Sequence, residues 1–327
     1  MLAKDIEVKF NSFLGNKDHG GELVNPAIGA VSTLMSIIEG YSGTTINGLM
    51  EELREAVKII EAKMLAGKSK LAVSSACAQF IRYTTLYLGT IESEDVSSVT
   101  KLMLQEGGKY LKRCESAINR ISKLGVTFIF DGAVRIMQYN FITSNPKITV
   151  GDIFVDIFFP QRVMVHSHSR VLLETLHSVP ENIYFTIYLV SSEEEDNKGK
   201  MLHDRVNIEY VRISDAEVGT RMENVDLVFV GAEAVVKNGG IINKVGTLPM
   251  AICAREMKKP LYVFAESFKF SLVYPLNQND IPNEYRVDQS NGIRVDYTPP
   301  KYLTLLITDR GILTPVAVCD ELIEMYT

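Results

Sequence analysis

The chain has 327 residues, 46% hydrophobic and 23% charged, an ordinary globular mix that excludes disordered and fibrous classes. Lys plus Arg number 34 against 40 Asp plus Glu, a net charge of −6, which argues against direct nucleic-acid binding through bulk positive charge. No uninterrupted apolar run approaches the roughly 18 residues of a membrane helix. The start, Met1-Leu-Ala-Lys-Asp-Ile-Glu7, reads as an amphipathic helix rather than a secretion signal.

The first 124 residues read as a helical bundle. Asn25-Pro26 supplies an N-cap and a proline at the first helical position, with Gly40 as the stop. Thr44 or Thr45 caps the next helix, whose stripe Ile46, Leu49, Met50, Leu53, Val57 and Ile60 follows three-four spacing up to Gly67. Helical stretches near Ser74–Leu88 and Val96–Leu124 follow, closed by Gly125. Beyond it come short runs rich in Val, Ile, Phe and Tyr: Val163–Val165, Ile183–Val190, Ile208–Ile213, Val225–Gly231, Leu261–Ala265 and Leu303–Thr308. Most are apolar on successive residues, the pattern of strands buried on both faces of a parallel sheet. Helices at Ser169–Ser178 and Pro249–Lys259 lie between them, so residues 125–327 read as a doubly wound, Rossmann-like α/β domain. Residues from about 134 to 161, including Asn140–Val150, read as an insertion.

Cys77, Cys114, Cys253 and Cys319 form no CxxC pair, and no Asn-x-Ser/Thr sequon occurs, which together point to the cytosol. Ala62–Ser69 fits a loose P-loop pattern, but it ends a helix instead of following a strand. No GxGxxG follows a strand, so no dinucleotide cofactor is expected, and no GxSxG elbow is present. His166-Ser-His168 lacks converging partners for a metal, so no metal site is expected.

The informative stretch is Val225–Thr247. It places Glu233 at a strand's carboxyl end, a turn at Asn238-Gly-Gly240, then Asn243-Lys244 and Gly246-Thr247. One carboxylate, two amides, a cation and a hydroxyl suit a small hydroxylated, phosphorylated ligand at a topological switch point. On residue types alone, a capped turn with an exposed lysine explains them equally well.

The spacing resembles the family shared by the aldose–ketose isomerases of methylthioribose 1-phosphate and ribose 1,5-bisphosphate and by the regulatory subunits of eukaryotic translation initiation factor 2B. Supporting stretches are Lys259–Phe270, Pro275–Pro282, Val295-Asp-Tyr-Thr-Pro299, Thr308–Pro315 and Asp320-Glu-Leu322, with Thr44–Leu49 and Leu71–Ser75 in the helical half. The isomerases use a cysteine after the first sheet strand and an aspartate in Gly-Ala-Asp; by alignment this chain has Ser167 and Glu233 there. The loop Ser191–Lys200 also lacks the Glu-Thr-Arg-Pro sequence with which isomerases hold phosphate. A hydroxyl without a partnered base and a displaced carboxylate make poor replacements, so the resemblance implies a non-catalytic regulatory subunit.

The resemblance carries further expectations. The chain joins the other subunits of initiation factor 2B, the guanine nucleotide exchange factor for initiation factor 2, and helps sense the phosphorylated alpha subunit of factor 2. It forms a homodimer through the α/β domain, with Leu303–Ile307 and Val316–Tyr326 as candidate apolar elements. The partner surface falls on Thr45, Asn47, Gly48, Glu51, Glu52 and Glu55, turned to solvent. A vestigial pocket of His166, Ser169, Arg170, Asn238, Asn243 and Lys244 takes phosphate or a sugar phosphate. The competing reading is a sugar-phosphate isomerase or sensor using the same pocket.

Overall fold

A computed structural model of the chain describes residues 3–15, 25–64, 70–86, 95–130, 133–139, 153–167, 169–190, 205–286 and 292–326. Of the features singled out above, Gly67 with the end of the P-loop-like stretch, Leu88, Asn140–Val150, His168 and the Ser191–Lys200 loop lie outside those residues.

Five helices come first: α1 (Ala3–Gly15), α2 (Pro26–Glu39), α3 (Ile46–Lys63), α4 (Lys70–Leu86) and α5 (Val96–Gly125). Their starts are set locally. The Asn25 side chain accepts from the Ala27 N–H at 2.9 Å, and Thr45 Oγ1 from the Gly48 N–H at 3.1 Å. Helix α2 buries Val31, Leu34, Ile37 and Ile38 and packs against all four other helices, so it is the bundle's centre. On α3 the buried stripe is Leu49, Leu53, Ala56 and Ile60. Thr45, Asn47, Glu51 and Glu55 are exposed, whereas Gly48 and Glu52 are only half-exposed. Helix α5 runs past the bundle, and Ser122 near its end meets Thr175 at 3.3 Å in the second unit.

A two-stranded antiparallel ribbon follows, β1 (Ala133–Tyr139) with β2 (Ile153–Phe159). The main sheet then starts with β3 (Gln161–His166), helix α6 (Arg170–His177), β4 (Phe185–Val190) and β5 (Ile208–Ile213). A short helix α7 (Val218–Met222) leads to β6 (Leu227–Gly231). The chain leaves the sheet there for the hairpin β7 (Ala234–Val236) and β8 (Ile241–Lys244), then returns through α8 (Thr247–Glu256) to β9 (Leu261–Phe264). After β10 (Phe270–Ser271), α9 (Asn283–Arg286) and β11 (Val295–Thr298), it ends with β12 (Leu305–Thr308), β13 (Gly311–Leu313) and α10 (Ala317–Tyr326).

Among the described residues the main sheet has seven strands in the order β13-β12-β9-β6-β3-β4-β5, all parallel except β13. Renumbered along the chain, the six parallel strands run 3-2-1-4-5-6, the doubly wound order, whose switch point lies between β3 and β6. A smaller sheet, β10-β7-β8-β11, stands over the carboxyl end of β6. The fold class is therefore the one expected: a helical bundle followed by a doubly wound parallel sheet.

Position in the sheet corrects two readings of the apolar runs. Leu303–Ile307 is no free dimer face: β12 is paired with β9 on one side and β13 on the other, and Leu306 and Ile307 are fully buried. Nor is Ile208–Ile213 buried on both faces. It is the edge strand, so its middle residues Glu209 to Arg212 are partly exposed. Helix α8 begins at Thr247, two residues before the expected Pro249.

Candidate functional site

Strand β3 delivers His166 to the switch point at its carboxyl end. The next residue, Ser167, is held in left-handed backbone at φ 62°, a costly conformation for a side chain with a Cβ. The turn lets the chain enter α6, with Ser169 at the N-cap and Arg170 at the first helical position. The Ser169 side chain makes no capping bond, and its hydroxyl packs against Gly231 at the end of β6, where a Cβ would come within 2.5 Å. Burial lowers the half-buried Arg170 guanidinium below its ordinary range, opposed by the charges of Glu266 and Glu174.

His166 is buried between two elements. Its Nδ1 lies 3.4 Å from Thr247 Oγ1 and its Nε2 3.7 Å from Asp215 Oδ1. The Thr247 hydroxyl donates to the Lys244 carbonyl at 2.7 Å and accepts from Asn243 Nδ2 at 3.0 Å. With its proton committed, the Thr247 hydroxyl faces Nδ1 of His166 as an acceptor, and Nε2 faces Asp215. The His166 interaction, with a smaller contribution from Lys244, holds the Asp215 carboxyl below the usual range. Gly246, at φ 105°, lets this happen: a Cβ there would lie 2.6 Å from His166 Nε2.

Asp296, opposite Asn243 in the β8–β11 ladder, accepts from the Gly246 and Leu248 N–H groups at 2.8 and 3.0 Å and so caps α8 from 48 or more residues away. Burial pushes its carboxyl up to about 6 from an ordinary 3.8, against those two donors and His166. A raised carboxyl pKa contributes stability that is complete below the ordinary value and lost as pH rises through about 6. From about pH 4.5 to 7.5 the loss is about 2 kcal/mol, at 1.36 kcal/mol per unit. Asp296→Asn keeps an oxygen acceptor but removes the charge, so urea unfolding of the variant should lack that component. A gap between wild type and variant that is the same at both pH values would refute the assignment.

The remaining candidates are committed elsewhere. Glu233 is clamped by Arg294 in a bidentate pair at 2.7 and 2.9 Å, and Arg294 also donates to the Tyr285 carbonyl at 3.1 Å. Asn238 sits at the far turn of the β7–β8 hairpin, where it donates to the Pro275 carbonyl and Tyr297 OH and accepts from the Gly240 N–H. The structure thus gathers His166, Asn243 and Lys244 around Thr247, with Ser167 next along the chain, packs Ser169, which precedes Arg170, against Gly231, and leaves Asn238 outside. Sequence reasoning supplied the Thr247 hydroxyl but missed Asp215, Arg294 and Asp296 as site residues. Asp215 alone had a local signal, the Ser214-x-x-Glu217 capping box around it.

Among the described residues, no cluster of three or more His, Cys, Asp or Glu could hold a metal ion, and no helix is long and apolar enough to cross a membrane. The crevice can instead offer charged and neutral donors to a small anion, with Asp215 as an exposed acceptor at its rim.

A family model described as the Initiation factor 2 subunit family matches residues 24–315. The chain belongs to that family. It is 33% identical over 330 residues to the Dictyostelium discoideum protein named "Translation initiation factor eIF2B subunit alpha", covering 93% of this chain and 92% of that protein. It is 25% identical over 309 residues to the "Ribose 1,5-bisphosphate isomerase" of Pyrococcus furiosus, covering 88% and 84%. The crystal structure of the tetrameric eIF2B-beta2-delta2 complex from C. thermophilum contains a chain with the same fold, at TM-score 0.72 and 15% identity, covering 100% of this chain and 96% of that one.

Proposed function

We propose that this chain is the alpha-type, non-catalytic regulatory subunit of the guanine nucleotide exchange factor for translation initiation factor 2. The observation that carries the reading is the end-to-end match to a protein named as that subunit in Dictyostelium. The crevice supports it. A glutamate whose two carboxylate oxygens are both held by Arg294 makes a poor proton shuttle. The isomerase alternative is correspondingly disfavoured. Incubation with pentose phosphates should give no aldose–ketose conversion, while co-expression should recover the chain with the other exchange-factor subunits. Turnover without such association would reverse the reading.

In this proposal residues 1–124 form the regulatory unit and residues 125–327 the dimerisation unit of a cytoplasmic protein acting in the integrated stress response. The homodimer face is drawn away from the interior strand β12 to the exposed apolar residues Leu272, Tyr274, Leu276 and Val316, which lie around the β7–β8 turn. The crevice keeps a weak affinity for phosphate or a sugar phosphate through Ser169, Arg170, Asn243 and Lys244, with His166 at its side.

The surface that reads phosphorylated factor 2 is the start of α3: Thr45, Asn47, Glu51, Glu52 and Glu55. Glu52 is half-buried and engaged by neighbours, so Glu51 is the cleaner probe. Glu51→Lys is expected to leave stability within about 0.5 kcal/mol of wild type, as exposed-face changes usually do. It should blunt the inhibition of nucleotide exchange by phosphorylated factor 2 in the reconstituted complex. Unchanged inhibition would move the surface elsewhere.

A further inference from the structure

Where β9 leaves the sheet, residues Ala265 to Ser271 form a tight turn that belongs to both halves of the molecule. Its Phe268, 3% exposed, packs in the core of the helical bundle rather than that of the sheet unit. The bundle answers with a buried amide. Gln79 on α4 donates from Nε2 to the carbonyls of Phe270 and Ser267 at 2.7 and 3.2 Å. Tyr110 OH on α5 lies within hydrogen-bond reach of Gln79 Oε1 at 3.3 Å and of the Ala76 carbonyl at 3.4 Å. Buried carbonyls need partners, so the turn is satisfied only while the bundle holds its present position.

The other end of the turn starts beside β6: Phe264, just before it, pairs with Gly231, against which Ser169 at the start of α6 packs. Glu266, 2% exposed, pairs with Lys269 at 2.6 Å and interacts electrostatically with Arg170 at the start of α6. Ser267 is gripped from the sheet side as well: Asp309, just past β12, accepts from its N–H at 2.6 Å and its hydroxyl at 2.8 Å. Seven residues therefore run from the electrostatic partner of Arg170 to the buried contacts that the turn makes with the bundle core.

We propose that the 265–271 turn is a two-way latch, through which the charge state at the Glu266–Arg170 end of the crevice and the packing of the helical bundle around Gln79 and Phe268 bias each other. This rests on the regulatory reading above and supplies its missing link, from the crevice to the helices that carry the partner surface. An anion that engages Arg170 competes with Glu266 and alters the turn. By linkage, a partner that repositions the bundle alters anion affinity by the same factor.

The bundle contains its own reporters. Cys77 is two residues from Gln79 on α4, and Cys114 lies one turn beyond Tyr110 on α5; both are buried. Burial raises the Cys77 thiol far above its ordinary range and Cys114 to about 12, partly offset by the Tyr110 hydroxyl for Cys114. Alkylation at these thiols therefore reads opening of the bundle, with the partly exposed Cys253 and Cys319 as internal references.

The test uses the intact chain, N-ethylmaleimide and peptide mass spectrometry. Glu266→Gln, a change at the crevice end, is expected to alter the Cys77 and Cys114 rates by about fivefold, the low end of ordinary coupling factors. In a Gln79→Met background the same change should do much less. Inorganic phosphate should shift the two rates in the wild type but not in Gln79→Met. If Gln79→Met does not fold, Phe268→Leu takes its place. The latch is overturned if Glu266→Gln leaves both rates at wild type, or if the two substitutions act independently. A phosphate response absent while the Glu266–Gln79 coupling persists supports the latch and counts against the anion reading of the crevice.

Discussion

Arg294→Met is expected to lower the stability of the folded chain by about 3 kcal/mol, the ordinary cost of removing one partner from a largely buried ion pair. The side chains of Arg294 and Glu233 are only 15% and 21% exposed, so water screens the pair weakly. Removal of the guanidinium strands the Glu233 carboxylate at the start of the β7–β8 hairpin and frees the Tyr285 carbonyl from its donor. Methionine keeps most of the volume, so the loss reports charge and hydrogen bonding rather than a cavity. Adding Glu233→Gln to Arg294→Met should recover a part of the loss, because no uncompensated charge then remains. Urea unfolding of the wild type, the single variants and the double variant gives the cycle. A loss below about 1 kcal/mol, the range of surface pairs, would mean that water reaches the pair and that Glu233 is available to a substrate after all.

Gly239→Ala should be more damaging. Gly239 has φ 83°, and a Cβ there would sit 1.9 Å from the carbonyl oxygen of Pro315, a backbone atom that cannot rotate away. The left-handed backbone alone costs about 1–2 kcal/mol for a residue with a Cβ, and relief of the overlap must separate the hairpin turn from the Pro315 segment. Expected outcomes are a lower melting temperature and altered self-association, because Val316, Tyr274 and Leu276 surround that turn. If light scattering finds the Gly239→Ala protein folded and associated as the wild type is, the dimer face lies elsewhere.

What could be read in advance follows from the range of the interactions. Leu49, Leu53 and Ile60 announced α3 through their own spacing, and Thr45 caps it within three residues, so the bundle was legible. The parallel strands were legible too, since runs such as Leu227–Gly231 are buried throughout. The start of α8 was not, because its cap is Asp296, close in space and distant in sequence. The role of Glu233 was hidden for the same reason: its partner Arg294 is 61 residues on. Leu303–Ile307 looked like a surface to be covered because composition cannot distinguish the strand next to a sheet's end from one that faces outward.

The antiparallel strand β13 is three residues long, and it occupies the position beyond β12 where a seventh parallel strand would otherwise start. A short reversed strand presents few free backbone donors and acceptors in line, and so a poor template for another chain. Extension of the sheet by another chain is thereby disfavoured on that side. Any contact made in that direction would rest on side chains fitted together rather than on shared backbone pairing.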